Sequence, residues 1–285
     1  MTSSISISPA LAEQAEAEAY ADFEAAASDA AKAALGTRQL RVGGGVALAV
    51  PNDPSGFWSK TLGLGFTEPV TAGLLERVIE FYRDCGMSAA TLQLAPPVLP
   101  VDWADIRAKL NISVSGSAWV KLAGDLGTVT AASRAAARLD DGLRVAPVPA
   151  ARAREWAELT LRVFGFPVEH QVEMGAGCVG RPGWQAFAVL DGDEMIATAG
   201  LFITRSAGHL FGAATLPAAR RQGAQSALIA ARAAAAREAG CSWLVGETFA
   251  EGPGQHNPSL HNLLRAGLSV CYERPNWRWR ERHHG

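Results

Sequence analysis

The chain has 285 residues, of which 48% are hydrophobic and 19% are charged, so it is long enough for two domains or one large one. Its 26 Lys and Arg residues face 28 Asp and Glu residues, which leaves no global positive field to attract nucleic acid or an anionic membrane. No stretch approaches the ~20 uninterrupted apolar residues of a membrane span. Neither nucleic acid nor a membrane is therefore expected as a partner.

The cysteines and the N-terminus indicate the compartment. Cys85, Cys178, Cys241 and Cys271 lie far apart and form no C-x-x-C pair, so neither a zinc site nor a disulfide framework is indicated. The first nine residues carry no Lys or Arg and no apolar segment of the kind found in secretory signals. We therefore expect a cytoplasmic protein.

The first predicted element is a helix. Residues 10–35 are rich in Ala and acidic residues, with Lys32 as the single basic residue, and this composition predicts a solvated helix or a loosely attached arm. An acidic partner-binding segment is the alternative. A triple glycine, residues 43–45, then precedes an apolar strand at 46–50. It does not fit a dinucleotide fingerprint, because Leu48 stands where a glycine is needed and no helix follows.

Strands and helices alternate along the rest of the chain. The first series is predicted as strand 62–66, helix 69–85, strand 89–94, helix 101–110 and strand 113–122, followed by a connection at 131–142. The second series is strand 143–148, helix 150–164, a helical segment near Glu169, strands 184–190, 195–203 and 209–216, helix 222–239, strand 242–247, helix 258–266 and terminal strand 268–280. This order predicts an α/β protein, and the consecutive hairpin strands predict a mixed sheet.

A weak internal repeat indicates a division near residue 140. Residues 83–86, Arg-Asp-Cys-Gly, end one helix and precede an apolar strand, and residues 237–240, Arg-Glu-Ala-Gly, do the same in the second half. Chance is the alternative, because a glycine commonly closes a helix in the left-handed conformation.

The segment 212–228 carries the clearest chemical signal. A strand ends at Leu216, Pro217 stops the ladder, and a turn with Arg220, Arg221 and Gly223 enters an Ala-rich helix. The unpaired N–H groups and the dipole at such a helix start suit a phosphate, and the arginines can neutralise its remaining oxygens. An ordinary helix start with solvated arginines is the alternative, but the strand, turn and helix together favour phosphate binding.

This segment resembles the pyrophosphate loop of the GNAT superfamily of acyl-CoA-dependent N-acyltransferases. That loop reads Q/R-x-x-G-x-G/A, which Arg220 and Gly223 match and Gln225 does not. The resemblance covers residues 143–280. The first half looks like a degenerate copy whose equivalent turn, 67–70, has no arginine, so only the second half is expected to bind CoA.

The resemblance implies a fold and a cosubstrate. It implies two GNAT-like domains, each a mixed and mostly antiparallel sheet flanked by helices: an acidic helix or arm at 1–35, a degenerate domain at 36–140 and an acetyl-CoA-binding domain at 141–285. The pantetheine of acetyl-CoA would lie between two splayed strands, with Gly212 at the bulge that opens them. The cofactor-binding residues implied in this way are Ala214, Thr215, Leu216, Arg220, Arg221, Gln222, Gly223, Ala224, Gln225, Ser226 and Asn257. Asn257 can also be a plain helix N-cap.

The resemblance leaves the catalytic groups open. Family members often use a Tyr, four residues before a helix-ending glycine, to protonate the leaving thiolate, and Leu263 stands there. Tyr272 on the next strand, or solvent, would then supply the proton. Glu247 at the open end of a strand is the candidate base, and His209 is a weaker one. Each of these residues can equally be structural, and no triad points to covalent catalysis.

No metal site is predicted. His256 and His261 are five residues apart and would lie on different helical faces, and His283 and His284 sit in the tail. In the same tail Trp277 and Trp279 alternate with arginines. A strand that buries both tryptophans explains this better than nucleic-acid stacking does.

The sequence therefore predicts an acetyl-CoA-dependent N-acetyltransferase that acylates a primary amine of a small molecule by direct attack in a ternary complex. The acceptor pocket is expected between the domains, against an apolar wall with Phe164, Phe166, Trp184 and Phe187. A non-catalytic acyl-CoA-binding or regulatory module is one alternative, and a structural protein that uses the acidic arm is another. The protein is expected to be a monomer or a homodimer.

Overall fold

The computed structural model describes residues 7–204 and 206–282. The elements of the first half are α1 (Pro9–Ala25), α2 (Asp29–Leu35), β1 (Arg38–Val42), β2 (Gly45–Ala49), β3 (Lys60–Leu62), α3 (Ala72–Asp84), β4 (Ala89–Gln93), α4 (Trp103–Lys109), β5 (Ile112–Val114), β6 (Trp119–Asp125) and α5 (Leu126–Ala136). Those of the second half are β7 (Leu143–Pro147), α6 (Ala153–Phe164), α7 (Gln171–Cys178), β8 (Trp184–Asp191), β9 (Glu194–Ile203), β10 (Ala207–Thr215), α8 (Ala224–Glu238), β11 (Trp243–Phe249), α9 (Pro258–Arg265), β12 (Ser269–Arg274) and β13 (Asn276–Arg280).

The strands form two mixed sheets flanked by helices. The first has the order β1-β2-β3-β4-β13-β5, and the second has the order β12-β6-β11-β10-β9-β8-β7. Within them β3 and β4 run parallel, as do β10 and β11, and the other paired strands are antiparallel. The predicted α/β fold with two mixed, mostly antiparallel sheets is confirmed.

The two sheets exchange strands across the predicted boundary at residue 140. β6 lies between β12 and β11 in the second sheet, and β13 lies between β4 and β5 in the first. The prediction of one long strand at 113–122 and another at 268–280 is wrong, because each of these segments contributes to two strands that lie in different sheets. Gly116, with φ of +68°, turns the chain between β5 and β6, and Pro275, which has no N–H, separates β12 from β13.

Helix α1 lies between the two sheets and packs on β2 and β3 of one and on β9, β10 and β11 of the other. The prediction of a solvated arm is therefore wrong, although the helix itself is present. Small Ala side chains let both sheets approach the helix closely, so the Ala-rich composition reflects close packing. The buried residues of α1 are Ala12, Glu13, Ala15, Glu16, Ala17, Ala19, Tyr20, Ala21, Phe23 and Glu24.

A buried ion cluster joins α1 to the second sheet. Arg274 of β12 donates to Glu16 from both terminal nitrogens at 2.8 Å and also pairs with Glu13. Lys121 of β6 pairs with Glu16 and lies 3.2 Å from Glu247 of β11. The three carboxylates and the two cations therefore form one contiguous cluster of buried charges. Since Glu13 and Glu16 are inside it, neither is available to a partner surface.

Other sequence predictions had mixed outcomes. Strand β1 was not predicted, and α5 continues to Ala136 where a connection was expected. Trp277 and Trp279 are buried, as predicted, against the first sheet's core. All four cysteines are free thiols. Among the helices described, none has the length and apolar character that crossing a membrane requires.

The ion cluster predicts that Glu16→Ala destabilises the fold by roughly 3–5 kcal/mol, because the substitution removes the buried carboxylate that Arg274 and Lys121 share. The matched control is Glu18→Ala on the same helix, which breaks only an exposed pair with Arg41 and should cost less than about 1 kcal/mol. Urea unfolding of the three proteins measures both values. Equal losses in the two variants would contradict a structural role for the cluster.

The same carboxyl predicts a pH dependence. Burial acts to raise the pKa of Glu16, but Arg274 and Lys121 outweigh it and hold the pKa well below its usual range. The stabilisation is therefore present above the ordinary glutamate pKa and is lost as the pH falls towards the lowered one. Unfolding at decreasing pH should bring wild type and Glu16→Ala closer together, and a gap that widens on acidification would contradict this assignment.

Candidate functional site

A large cavity opens where β10 and β11 separate. These strands pair only over Ala207–His209 and Trp243–Val245 and then diverge. The space between them has a volume of about 940 Å³ and is lined by residues 210–213 of β10 and 246–249 of β11. Residues of α8 line it on one side of the sheet and residues of α1 on the other. The cavity therefore passes through the sheet.

A bulge in β10 accompanies this separation. The register with β9 shifts between Phe211 and Ala214, and Gly212 between them has φ of +41°, as the sequence predicted. Beyond His209 the edge of β10 that faces β11 is unpaired, so its backbone groups are open to an extended ligand. Ala214 and Thr215 lie on this edge, and Leu216 follows them.

The turn predicted to bind phosphate lies at the start of α8. Arg221 has φ of +67° and Gly223 φ of +81°, and α8 begins at Ala224 with no side-chain cap. No described residue accepts a hydrogen bond from the N–H groups of Ala224, Gln225 or Ser226. The exposed Arg220 and Arg221 side chains have no hydrogen-bond or ion-pair partner among the described residues either. The turn thus offers free N–H groups beside two unpaired cations.

Gly223 also has a role that the sequence did not indicate. A Cβ at this position would overlap the carbonyl oxygen of Arg138, so the linker before β7 by itself requires a glycine here. That linker also donates a hydrogen bond from the Asp140 N–H to the Gln222 carbonyl at 3.2 Å. Ser226 donates from its hydroxyl to the Gly223 carbonyl at 2.8 Å. Ser226 and the linker therefore hold the loop in place.

Aromatic side chains form the cavity wall on the α1 side. Phe164 and Phe166 line the cavity as predicted, whereas Trp184 packs behind it, 5.2 Å from the ring of Phe211, and Phe187 is not part of the wall. The first half contributes more of the wall than sequence reasoning found. Its wall residues are Tyr20 and Phe23 of α1 with Phe57 and Trp58 of the loop before β3. The sequence offered one signal of this contribution: Tyr20 and Phe23 are three residues apart in an Ala-rich helix and therefore lie on the same helical face.

Glu247 is the acidic group that reaches the cavity from β11. Its Oε2 lies 2.9 Å from Nε2 of the fully buried His209 and 3.2 Å from Nζ of Lys121. Burial and Glu16 act to raise the pKa of Glu247, but His209 and Lys121 outweigh them and hold the pKa below its ordinary value. Glu247 is therefore ionised at neutral pH. The two candidate bases of the sequence form one hydrogen-bonded pair.

Tyr272 does not reach the cavity. Its hydroxyl donates to Glu13 at 2.8 Å, and β12 is separated from β11 by β6. The predicted role of Tyr272 as a proton donor therefore has no support in its position. Tyr20 does line the cavity, and its hydroxyl has no hydrogen-bond partner among residues 7–204 and 206–282. Leu263, at the expected tyrosine position, also lines the cavity.

Asn257 acts as the N-cap of α9. Its side-chain oxygen accepts from the N–H groups of Ser259 at 3.0 Å and Leu260 at 3.4 Å. Its amide nitrogen donates to the Thr248 hydroxyl at 3.0 Å and to the Phe249 carbonyl at 2.7 Å. Asn257 thus fastens α9 to the end of β11. Its side-chain groups are already bonded within the protein.

His256, which lines the cavity, is in contact with His261. The prediction that helical faces separate them is wrong, because His256 precedes α9, and the two rings stack with centroids 4.5 Å apart. Each imidazole faces Glu251, with separations of 3.6 Å for His256 and 3.0 Å for His261. One nitrogen or oxygen ligand from each residue lies within 4.8 Å of the others. Glu251 already pairs both imidazoles, which accounts for the cluster without an ion.

Comparisons with known proteins agree with this geometry. Residues 151–256 match the acetyltransferase (GNAT) family model. The chain is similar to a GCN5-related N-acetyltransferase from Kribbella flavida, with a TM-score of 0.61 and 17% identity over 98% of each chain. It is also similar to a tandem GNAT protein from the clavulanic acid biosynthesis pathway, with a TM-score of 0.58 and 15% identity over 84% of this chain and 81% of that one. No curated protein matches the sequence.

The resemblance inferred from the loop is confirmed by these matches. The match to the GNAT acetyltransferase family model begins just before α6 and ends in the loop before α9. The two mixed sheets of the whole chain correspond to the fold of a tandem GNAT protein. At these identities the solved structures show the fold alone.

The two glycines at the ends of α8 give a matched test of the loop. Gly223→Ala and Gly240→Ala both place a side chain at positive φ, +81° and +80° respectively, which costs roughly 1–2 kcal/mol. Only Gly223 faces a backbone carbonyl, whereas nothing lies within 4 Å of a Cβ at Gly240. Urea unfolding should therefore show a larger loss for Gly223→Ala. Equal losses of stability in the two variants would mean that the linker at Arg138 moves away from the added side chain at no cost.

Proposed function

We propose that the protein is an acetyl-CoA-dependent N-acetyltransferase that acylates a primary amine of a small molecule. The GNAT domain at 151–256 supports the general chemistry. The observation that carries the proposal is the single cavity through the sheet, which joins the α8 side, where the loop lies, to an aromatic wall with an ionised carboxylate. Such a passage lets donor and acceptor meet from opposite faces.

The donor would enter from the side of α8. Its phosphates would bind the N–H groups of Ala224, Gln225 and Ser226 at the positive end of the helix dipole, with Arg220 and Arg221 on the remaining oxygens. Gln222 and Gly223 complete that turn. The pantetheine would lie along the open edge of β10, through the bulge at Gly212 and past Ala214, Thr215 and Leu216.

The acceptor would enter from the side of α1. The aromatic wall favours an apolar body, and the ionised carboxylate of Glu247 favours an ammonium group. Tyr20, Phe57 and Trp58 come from the first half of the chain, so that half contributes to the acceptor side. The proposed substrate class is therefore a small amine with an apolar or aromatic body.

The reaction is a direct acyl transfer. The ammonium gives its proton to Glu247, directly or through water, and the neutral nitrogen attacks the thioester carbonyl carbon. Free backbone N–H groups of β10 near Thr215 stabilise the oxyanion. The C–S bond then breaks to release CoA as a thiolate, and the nitrogen gives up its second proton through water. In place of Tyr272, the Tyr20 hydroxyl is the candidate donor that protonates the sulfur, and the proton released by the nitrogen restores that hydroxyl. The lowered pKa of Glu247 keeps its carboxylate ionised at neutral pH, so that it can bind the ammonium and accept its proton.

Calorimetric titration of CoA and acetyl-CoA tests the donor site. Micromolar binding is expected for the wild type, and Arg220→Ala/Arg221→Ala should weaken it by about tenfold or more, since hydrogen bonds to charged groups contribute about 1.5–3 kcal/mol. The control is Arg237→Ala, an exposed arginine at the other end of α8, which should bind as the wild type does. A folded wild type that binds neither ligand would overturn the proposal.

A non-catalytic acyl-CoA-binding or regulatory module is the second candidate, favoured by Leu263 at the usual tyrosine position. Thiol release with a panel of aromatic amines separates the two. If the protein is an enzyme, Glu247→Gln should lower kcat/KM about a hundredfold or more while acetyl-CoA binding is retained. Glu273→Gln, at an exposed residue of β12, is the control. Donor binding with no turnover on any amine would favour the module.

A further inference from the structure

One buried cation of the cavity has no acidic partner. Helix α8 turns Gln225, Ile229 and Arg232 towards the cavity, and their spacing of four and three residues places them on one face. Arg232 is only 2% exposed. Within residues 7–204 and 206–282 no carboxylate pairs with it, in contrast to the equally buried Arg274 and Lys121. A charged group this buried without a counter-ion is costly.

The protein satisfies only part of this guanidinium. Nε donates to the Leu228 carbonyl at 3.1 Å, and Nη1 donates to the Gly200 carbonyl at 3.2 Å. Gly200 is the β9 partner of Phe211, where the β10 bulge begins, so Arg232 supports the backbone at the splay. Nη2 donates to no described residue. A neutral side-chain amide could donate to the Gly200 carbonyl without the free-energy cost of burying a charge.

Arg232 lies towards the acyl end of the proposed donor site. It is seven residues beyond Gln225, or about 10 Å along the helix axis from the loop. Its helix packs on one face of the second sheet, with Leu201, Leu210 and Leu244, whereas α1 and the ion cluster of Glu247 lie on the other face. The cavity thus has a positive group on the donor side and a negative group on the acceptor side.

Burial lowers the pKa of Arg232 to about 9. This side chain is therefore still charged near neutral pH, although the protein gives it no anion. An acetyl group has no charge to pair with it. An acyl chain that ends in a carboxylate would supply the missing anion, and the cavity of about 940 Å³ leaves room for a longer chain than acetyl.

We propose that the donor site is built for a CoA thioester of a dicarboxylic acid, and that Arg232 binds the free carboxylate of the acyl chain. The inference rests on the proposed function and extends it from acetyl to a carboxylated acyl group. The transfer is unchanged: the amine nitrogen bonds to the thioester carbon, the C–S bond breaks, and CoA leaves. The product is an amide that keeps the distal carboxylate.

The test is calorimetric binding of CoA, acetyl-CoA and succinyl-CoA to the wild type and to Arg232→Gln. The wild type should bind succinyl-CoA at least tenfold more tightly than acetyl-CoA. Arg232→Gln, which keeps a donor for Gly200, should bind both thioesters equally and CoA as the wild type does. Arg237→Gln, at the exposed end of the same helix, should retain the preference and controls for loss of charge.

The outcomes separate this inference from the proposed function. If CoA and acetyl-CoA bind the wild type and succinyl-CoA binds no better, the inference fails and the proposed function stands. A preference that persists in Arg232→Gln also overturns it, because another group would then bind the carboxylate. If no CoA ligand binds, the proposed function itself fails. Arg232→Lys, which keeps the charge, replaces the Gln variant if that protein does not fold. Its succinyl preference should fall at least threefold, because one ammonium cannot keep the Leu228 and Gly200 hydrogen bonds and also donate to the carboxylate from the position of Nη2.

Discussion

The site depends on the position of α1, which two buried cations of the second sheet fix. Arg274 and Lys121 bind carboxylates that lie three residues apart on one face of the helix. Removing either cation would leave these carboxylates in a medium that cannot solvate them. Because α1 is held there, Tyr20 and Phe23 reach the cavity, and Lys121 also orients Glu247. One set of charges therefore sets both the packing of the two sheets and the polarity of the α1 side of the cavity.

The exchange of β6 and β13 has a related consequence. β6 carries Lys121 into the second sheet, next to β11 and Glu247, so the ion cluster requires a strand from the first half. β13 ties the end of the chain back to β4 and β5. The first half is therefore not a separable copy beside an independent catalytic domain. It supplies a strand, a cation and part of the aromatic wall to the same cavity.

Local signals in the sequence predicted the parts of the site that depend on neighbouring residues. The strand, proline, arginines and glycine of 212–228 indicated the loop and the bulge, because each acts on its own backbone. Features set by distant residues were not predicted. Burial of α1, exchange of strands and the meeting of His256 with His261 all depend on long-range packing, which composition and periodicity do not encode. Arg232 was missed because an arginine in an Ala-rich helix looks like a solvated one.

A crystal structure of the protein with CoA tests the central claim most directly. The account predicts density for the pyrophosphate on the N–H groups of Ala224, Gln225 and Ser226, and for the pantetheine between β10 and β11 in the cavity that Glu247 and Arg232 line. CoA bound elsewhere on the protein, with the space between these strands empty, would contradict it.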